Sequence, residues 1–112
     1  MTINVYEQYF EAQHVFNGVE RRAALVKLTS DSEAGSIRYT AAVTFFPHSD
    51  PEDFGVSYDD YHETVIYEAK GRRSKKREKA FMEGLRETID RLAEEAGGQV
   101  FWDRPLREAR LG

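Results

Sequence analysis

The strongest constraint on the fold is an apolar stripe with helical spacing near the C-terminal end of the chain. Within residues 74–96 the stripe recurs at intervals of four, four, three and four positions, through Phe81, Leu85, Ile89, Leu92 and Ala96. This spacing is that of one face of an α-helix, and the pair Gly97-Gly98 directly after it is a helix stop. The sequence therefore predicts one long amphipathic helix whose apolar face packs on the rest of the domain.

Three segments upstream of this helix have the composition of β-strands. Residues 36–46 and 61–69 are rich in β-branched and aromatic side chains, which favour the pleated backbone, and residues 22–29 form a third compact run. A short polar turn at residues 30–35 joins the first two as a hairpin, whereas residues 47–60 form a long loop with two prolines.

The N-terminal segment, residues 4–16, fits two patterns. As a helix it places its aromatic residues on one face and its acids on the other, with Asn4 and Glu7 as a capping box and Gly18 as a stop. As a strand it enters a two-residue hairpin turn at Asn17 and Gly18. Strict alternation leaves two acids on the same face as apolar residues, so the helical pattern is favoured.

Together these elements predict an α+β fold of order α-β-β-β-α. The long C-terminal helix packs on an antiparallel sheet of three strands, or of four if the N-terminal segment is a strand. A chain of 112 residues has the size of one domain. We expect a single domain over residues 1–112, with its core in residues 3–102 and a tail at residues 103–112.

Composition excludes several classes of protein. The chain has no cysteine, which excludes a disulfide framework, a thiolate zinc site and a cysteine nucleophile. No apolar run reaches the length of about 18 residues that a membrane span needs. The N-terminus also lacks a basic segment ahead of an apolar one, as a secretory signal would have. The sequence predicts a soluble cytoplasmic protein.

The net charge of −4 conceals an uneven distribution. Residues 70–79 carry a local charge of +6, so the remainder of the chain carries −10. Six acids precede this basic segment: Asp50, Glu52, Asp53, Asp59, Asp60 and Glu63. A concentrated basic segment attracts phosphate within about 8 Å at physiological salt, even on an acidic protein.

The basic segment coincides with the predicted helix start, where the partial positive charge of the helix dipole disfavours cations. An external anion such as phosphate would compensate, since exposed N–H groups and cationic side chains form anion sites. The alternatives are screening by the acidic loop at residues 50–60 and a solvated surface. The candidate phosphate-binding residues are Arg72, Arg73, Lys75, Lys76 and Lys79.

Residues 71–79, GRRSKKREK, resemble the conserved stretch of double-stranded-RNA-binding domains, in which a glycine, Ser-Lys-Lys and a further lysine begin the last helix. The resemblance implies a fold of helix, three antiparallel strands and helix. It also implies that Lys75, Lys76 and Lys79 contact phosphates across the RNA major groove. The chain as a whole resembles small proteobacterial proteins, and that resemblance implies no activity.

Metal and catalytic patterns are weak. Imidazoles and carboxylates that a folded loop brings together can bind a divalent cation, and the chain has one such set: His48, Asp50, Asp59, Asp60 and His62. Their spacing matches no specific zinc or calcium pattern. No serine-hydrolase elbow and no glycine-rich phosphate loop is present. The sequence therefore predicts no metal, no cofactor and no catalytic residue.

From these features we predict a non-enzymatic binding module that contacts the phosphate backbone of RNA through residues 70–79. The alternative is a protein-interaction or self-associating domain without nucleic-acid binding. In that case the acidic loop at residues 50–60 of a protein partner or second copy meets the basic segment. Both depend on charge, so both predict sensitivity to salt. Neither involves a membrane.

Overall fold

The structure is a computed structural model that describes residues 1–16, 18–46 and 60–106. In these residues five strands form one antiparallel sheet and one helix packs on it, so the α+β class is confirmed. In chain order the elements are β1 (Thr2–Phe16), β2 (Val19–Glu33), β3 (Ser36–Phe46), β4 (Asp60–Lys70), α1 (Lys75–Glu95) and β5 (Gly98–Leu106). The strands lie in the order β4-β3-β2-β1-β5, and α1 connects the two edges of the sheet.

The predicted order α-β-β-β-α is wrong, because the N-terminal segment is a strand and a further strand follows the helix. The sheet therefore has five strands rather than three or four, and its order also differs from the one that the RNA-binding resemblance implies. The register of β1 against β2 shifts between Asn4 and Tyr6 and again between Glu11 and His14. Each shift interrupts the alternation of period two, which explains why this segment matches a helical wheel.

The helix lies where the apolar stripe predicts it. Ser74 caps its start, and Gly97 follows its end with φ 78°, a conformation that glycine adopts without the steric cost of a Cβ. The helix buries Leu85, Ile89 and Ala93. The sheet contributes the rest of the buried core cluster: Phe10, Ala12, Ala24, Val26, Leu28, Ile37, Tyr39, Ala41, Val43, Phe45 and Val100.

The final strand, β5, pairs with the outer edge of β1 and extends the sheet. Residues 103–106, which fall in the predicted tail, belong to this strand, where Pro105 pairs with Phe10 and Leu106 with Tyr9. In the part of the chain that the structure describes, no helix combines the length and the apolar character that crossing a membrane requires.

The path of α1 separates two ends of the molecule. The helix begins after β4 has ended, and it returns along the sheet until Ala96 lies beside His14 and Asp60 at the start of β4. Its 21 residues correspond to a length of about 30 Å at 1.5 Å per residue. The basic segment and Asp60 therefore lie at opposite ends of the helix.

Candidate functional site

The basic helix start contains an anion that the chain supplies itself. The Ser74 hydroxyl caps the helix by accepting a hydrogen bond from the backbone N–H of Arg77 at 3.3 Å. Glu78, which is acidic and buried, lies in the first turn. A carboxylate in the first turn complements the helix dipole. The unfavourable interaction between the helix dipole and the basic segment is therefore offset within the molecule, by the carboxylate of Glu78.

Glu78 is held by two partners. Arg73 donates from Nε to Oε2 at 2.8 Å and from its terminal nitrogen to Oε1 at 3.0 Å, and the buried Tyr39 hydroxyl donates to Oε2 at 2.5 Å. The hydrogen bonds from Arg73 hold the pKa of the Glu78 carboxyl below its ordinary value, although burial opposes them. Burial raises the pKa of Tyr39. The network links the helix start to the middle of the sheet.

The predicted phosphate-binding residues divide into two groups. Arg73 forms the ion pair with Glu78. The other four, which we call the helix-start cations, are exposed and form no ion pair within the described residues: Arg72, Lys75, Lys76 and Lys79. Arg77, from the same segment, lies over the Tyr67 ring at 4.3 Å, where the cation and the π-system attract each other. The structure thus separates cations with structural contacts from cations that face solvent.

A second group of functional side chains lies at the other end of the helix. His14 on β1 comes together with Asp60 and His62 on β4, and we call these three residues the histidine–aspartate cluster. The Asp60 Oδ2 atom lies 3.0 Å from Nε2 of His14 and 3.1 Å from Nε2 of His62. One ligand atom from each residue lies within 4.8 Å of the others. Asp60 and His62 share a face of β4 because they are two residues apart in a strand.

Two members of this cluster are predicted from the sequence, and the third is not. Asp60 and His62 belong to the predicted set, whereas His48, Asp50 and Asp59 lie outside the described residues. His14 is missed because the N-terminal segment is assigned to a helix, and even as a strand this segment is separated from β4 by β2 and β3 in the sheet. No local signal identifies His14, since its partners become neighbours only in the folded sheet.

His14 is fixed by contacts on several sides. Its side chain is fully buried, and its ring stacks on Phe45 with centroids 4.5 Å apart and planes 8° from parallel. Nε2 lies 3.0 Å from the Ala96 carbonyl oxygen, and Nδ1 lies 3.4 Å from a terminal nitrogen of Arg21. A neutral ring with its proton on Nε2 satisfies both contacts, since arginine can only donate. Burial lowers the pKa of His14 more than Asp60 raises it, which also favours the neutral ring.

The packing beside His14 requires glycine at position 98. A Cβ on Gly98 would lie 2.9 Å from Cδ2 of His14, 2.9 Å from Cζ of Phe45 and 3.1 Å from the Gln13 carbonyl oxygen. Real Cβ atoms do not approach carbon this closely, and one of the three neighbours is backbone, which cannot rotate away. The glycine therefore lets β5 lie against β1 while both rings stay in place.

We expect Gly98→Ala to lower the free energy of unfolding by about 2 kcal/mol, because the added methyl overpacks the site. Gly84→Ala is the matched control. Gly84 is exposed on α1 and has open space around its position, so alanine there should raise the free energy of unfolding by about 0.5–1 kcal/mol. Urea unfolding of both variants measures the difference. A Gly98→Ala variant as stable as the parent protein would contradict the packing described above.

Comparison of the chain with protein-family models, with curated proteins and with solved structures finds no match.

Proposed function

We propose that this protein is a non-enzymatic cytoplasmic module that binds the phosphate backbone of RNA through the helix-start cations. The observation that carries the proposal is their exposure: Arg72, Lys75, Lys76 and Lys79 face solvent without an ion pair in the described part of the chain. The one acid of the segment, Glu78, is occupied by Arg73 and Tyr39. The positive charge of the surface is therefore available to a polyanion.

The arrangement favours contact with the backbone rather than with bases. Lysine is a compact point charge on a flexible stem, and it neutralises phosphate without reading sequence. Lys75 and Lys79 are four residues apart on α1 and so lie on one face, and Arg72 precedes the cap. The Ser74 hydroxyl already occupies one backbone N–H group of the first turn. Binding would therefore come mainly from side chains, and the resemblance of residues 71–79 favours RNA as the polyanion.

The test is a titration of labelled protein with duplex RNA at several salt concentrations. Four phosphate contacts predict a slope of log K against log salt of about −3.6, and each contact removed should flatten the slope by nearly one. The triple variant Lys75→Gln, Lys76→Gln, Lys79→Gln should therefore leave a slope of about −1. Its melting temperature should not fall, because cations at a helix start oppose the dipole.

Arg91→Gln is the control. Arg91 is an exposed cation on the same helix, three turns beyond Lys79, so its loss should leave RNA affinity nearly unchanged.

In the RNA titration of the parent protein, amide shifts confined to residues 72–79 would support the proposal. Unperturbed amides in this segment at about 10 μM RNA and low salt would contradict it. Shifts that depend on protein concentration without RNA would instead indicate the self-associating domain, whose acidic residues 50–59 lie outside the described residues.

A further inference from the structure

We infer that the histidine–aspartate cluster is a binding site for a divalent transition-metal cation, with Nε2 of His14, Nε2 of His62 and the Asp60 carboxylate as ligands. Two imidazoles and one carboxylate form a donor set that suits zinc and its first-row neighbours. The site is independent of the helix-start cations, because it lies at the opposite end of α1.

The two distances from the Asp60 carboxylate to the imidazole nitrogens fit a bound cation. Zinc binds nitrogen and carboxylate oxygen at about 2.0–2.2 Å, which places ligands of a tetrahedral site about 3.3 Å from one another. The separations of 3.0 Å and 3.1 Å from Asp60 Oδ2 to the two imidazole nitrogens reach this value with a movement of a few tenths of an ångström. The Ala96 carbonyl oxygen lies 3.0 Å from Nε2 of His14 and is available as a further oxygen ligand for a cation bound beside that nitrogen.

An unsatisfied nitrogen points independently to a ligand. Nε2 of His62 is shielded from solvent and makes no hydrogen bond within the described residues, although Asp60 is close. A buried polar atom without a partner carries a free-energy cost. A cation placed between the two imidazoles would provide the missing partner. The His62 and Asp60 side chains are each about a quarter to a third exposed, which leaves a path from solvent.

The end of α1 favours a positive charge and the packing around His14 makes it a rigid ligand, whereas the charge of Arg21 beside the ring opposes a bound cation. The carbonyl end of α1 carries a partial negative charge, and the last helical turn has no basic residue to neutralise it. His14 cannot rotate freely, because Phe45 stacks on its ring and Gly98 lies against its edge. Metal binding reverses the tautomer of His14, since Nε2 must then present a lone pair. The ring then gives up two contacts, the 3.0 Å hydrogen bond from Nε2 to the Ala96 carbonyl oxygen and the 3.4 Å contact of Nδ1 with Arg21, and the metal takes the place of the first.

The experiment uses tag-free full-length protein, freed of metal with a chelator and then titrated with Zn²⁺ or Co²⁺. We expect one equivalent to saturate the site and the ring nitrogen resonances of His14 and His62 to shift together. Co²⁺ should give the visible absorption of a site with nitrogen and oxygen ligands. A resonance of His14 that stays unmoved at saturation, or the absence of saturable binding, would overturn the inference without any variant.

Variants identify the ligands. Asp60→Asn preserves shape and His62→Ala removes a partly exposed ring, and each should weaken Zn²⁺ binding by more than about 100-fold, because losing even an outer partner of a metal ligand costs 10–100-fold. Glu63→Gln is the matched control, since Glu63 is exposed on the opposite face of β4, and it should bind as the parent protein does. Parental affinity in folded Asp60→Asn and His62→Ala proteins would overturn the ligand set.

Discussion

Phe45→Ala is expected to lower the free energy of unfolding by about 4 kcal/mol, since a fully buried phenylalanine leaves a cavity that its neighbours cannot fill. Phe45 has no exposed surface, and its ring supports His14 by stacking. Urea unfolding measures the loss. Tyr61→Ala, on the adjacent strand at 56% exposure, is the aromatic control and should cost less than about 1 kcal/mol. Equal losses from the two variants would contradict the assigned core.

The energetic coupling between the Phe45 ring and Gly98 can be tested by combining the two substitutions. The Phe45 Cζ atom is one of the neighbours that a methyl at position 98 would strike, so removing the ring makes room for that methyl. Gly98→Ala should therefore cost less in the Phe45→Ala background, with a coupling energy of about 1 kcal/mol. Additive losses would show that Gln13 and His14, rather than Phe45, set the requirement for glycine.

Glu78→Gln is expected to lower the free energy of unfolding by about 3 kcal/mol. The change keeps the shape of the side chain but removes the charge that accepts hydrogen bonds from Arg73 and Tyr39. Breaking a buried charged network by neutralising one member leaves its partners without compensation. Glu83→Gln, at an exposed position of the same helix, should change stability by less than about 0.5 kcal/mol.

The effect of Glu78→Gln should depend on pH in a defined direction. The Glu78 pKa is depressed in the folded protein, so its contribution is complete above the ordinary glutamate pKa of 4.5 and is lost as pH falls through the folded value. The stability difference between the parent protein and the variant should therefore be largest near neutral pH. It should shrink as the pH falls below the ordinary glutamate pKa of 4.5. A difference that stays constant from neutral pH into strong acid would show that the charge of Glu78 is not the cause.

Local patterns in the sequence were sufficient to predict the helix α1 but not to predict that β1 is a strand. The apolar stripe and Gly97 act within a few residues, and α1 lies where they predict. In β1 the pair Asn4 and Glu7 resembles a capping box, and the two side chains do form a 2.9 Å hydrogen bond, but they form it on the exposed surface of a strand. The pairing of this strand with β2 and β5 outweighs its helical pattern, and the register shifts disguise its alternation.

The candidate sites were predictable to different extents. Charge density alone identifies residues 70–79, because seven of these ten residues are cations. It cannot separate Arg73 from Lys75, because that distinction requires Tyr39 and Glu78 to meet across the core. His14 carries no local sign of its role, since its partners on β4 and at the end of α1 become neighbours only when the sheet forms.

The sequence by itself determines the α+β class, the bounds of the long helix and the position of the basic segment, because spacing, capping and charge are properties of neighbouring residues. The tertiary structure alone decided that residues 2–16 are a strand, that Arg73 is paired while Lys75, Lys76 and Lys79 face solvent, and that the histidine–aspartate cluster exists. These features depend on contacts between residues far apart in the chain, and the free energy of such contacts has no local signature.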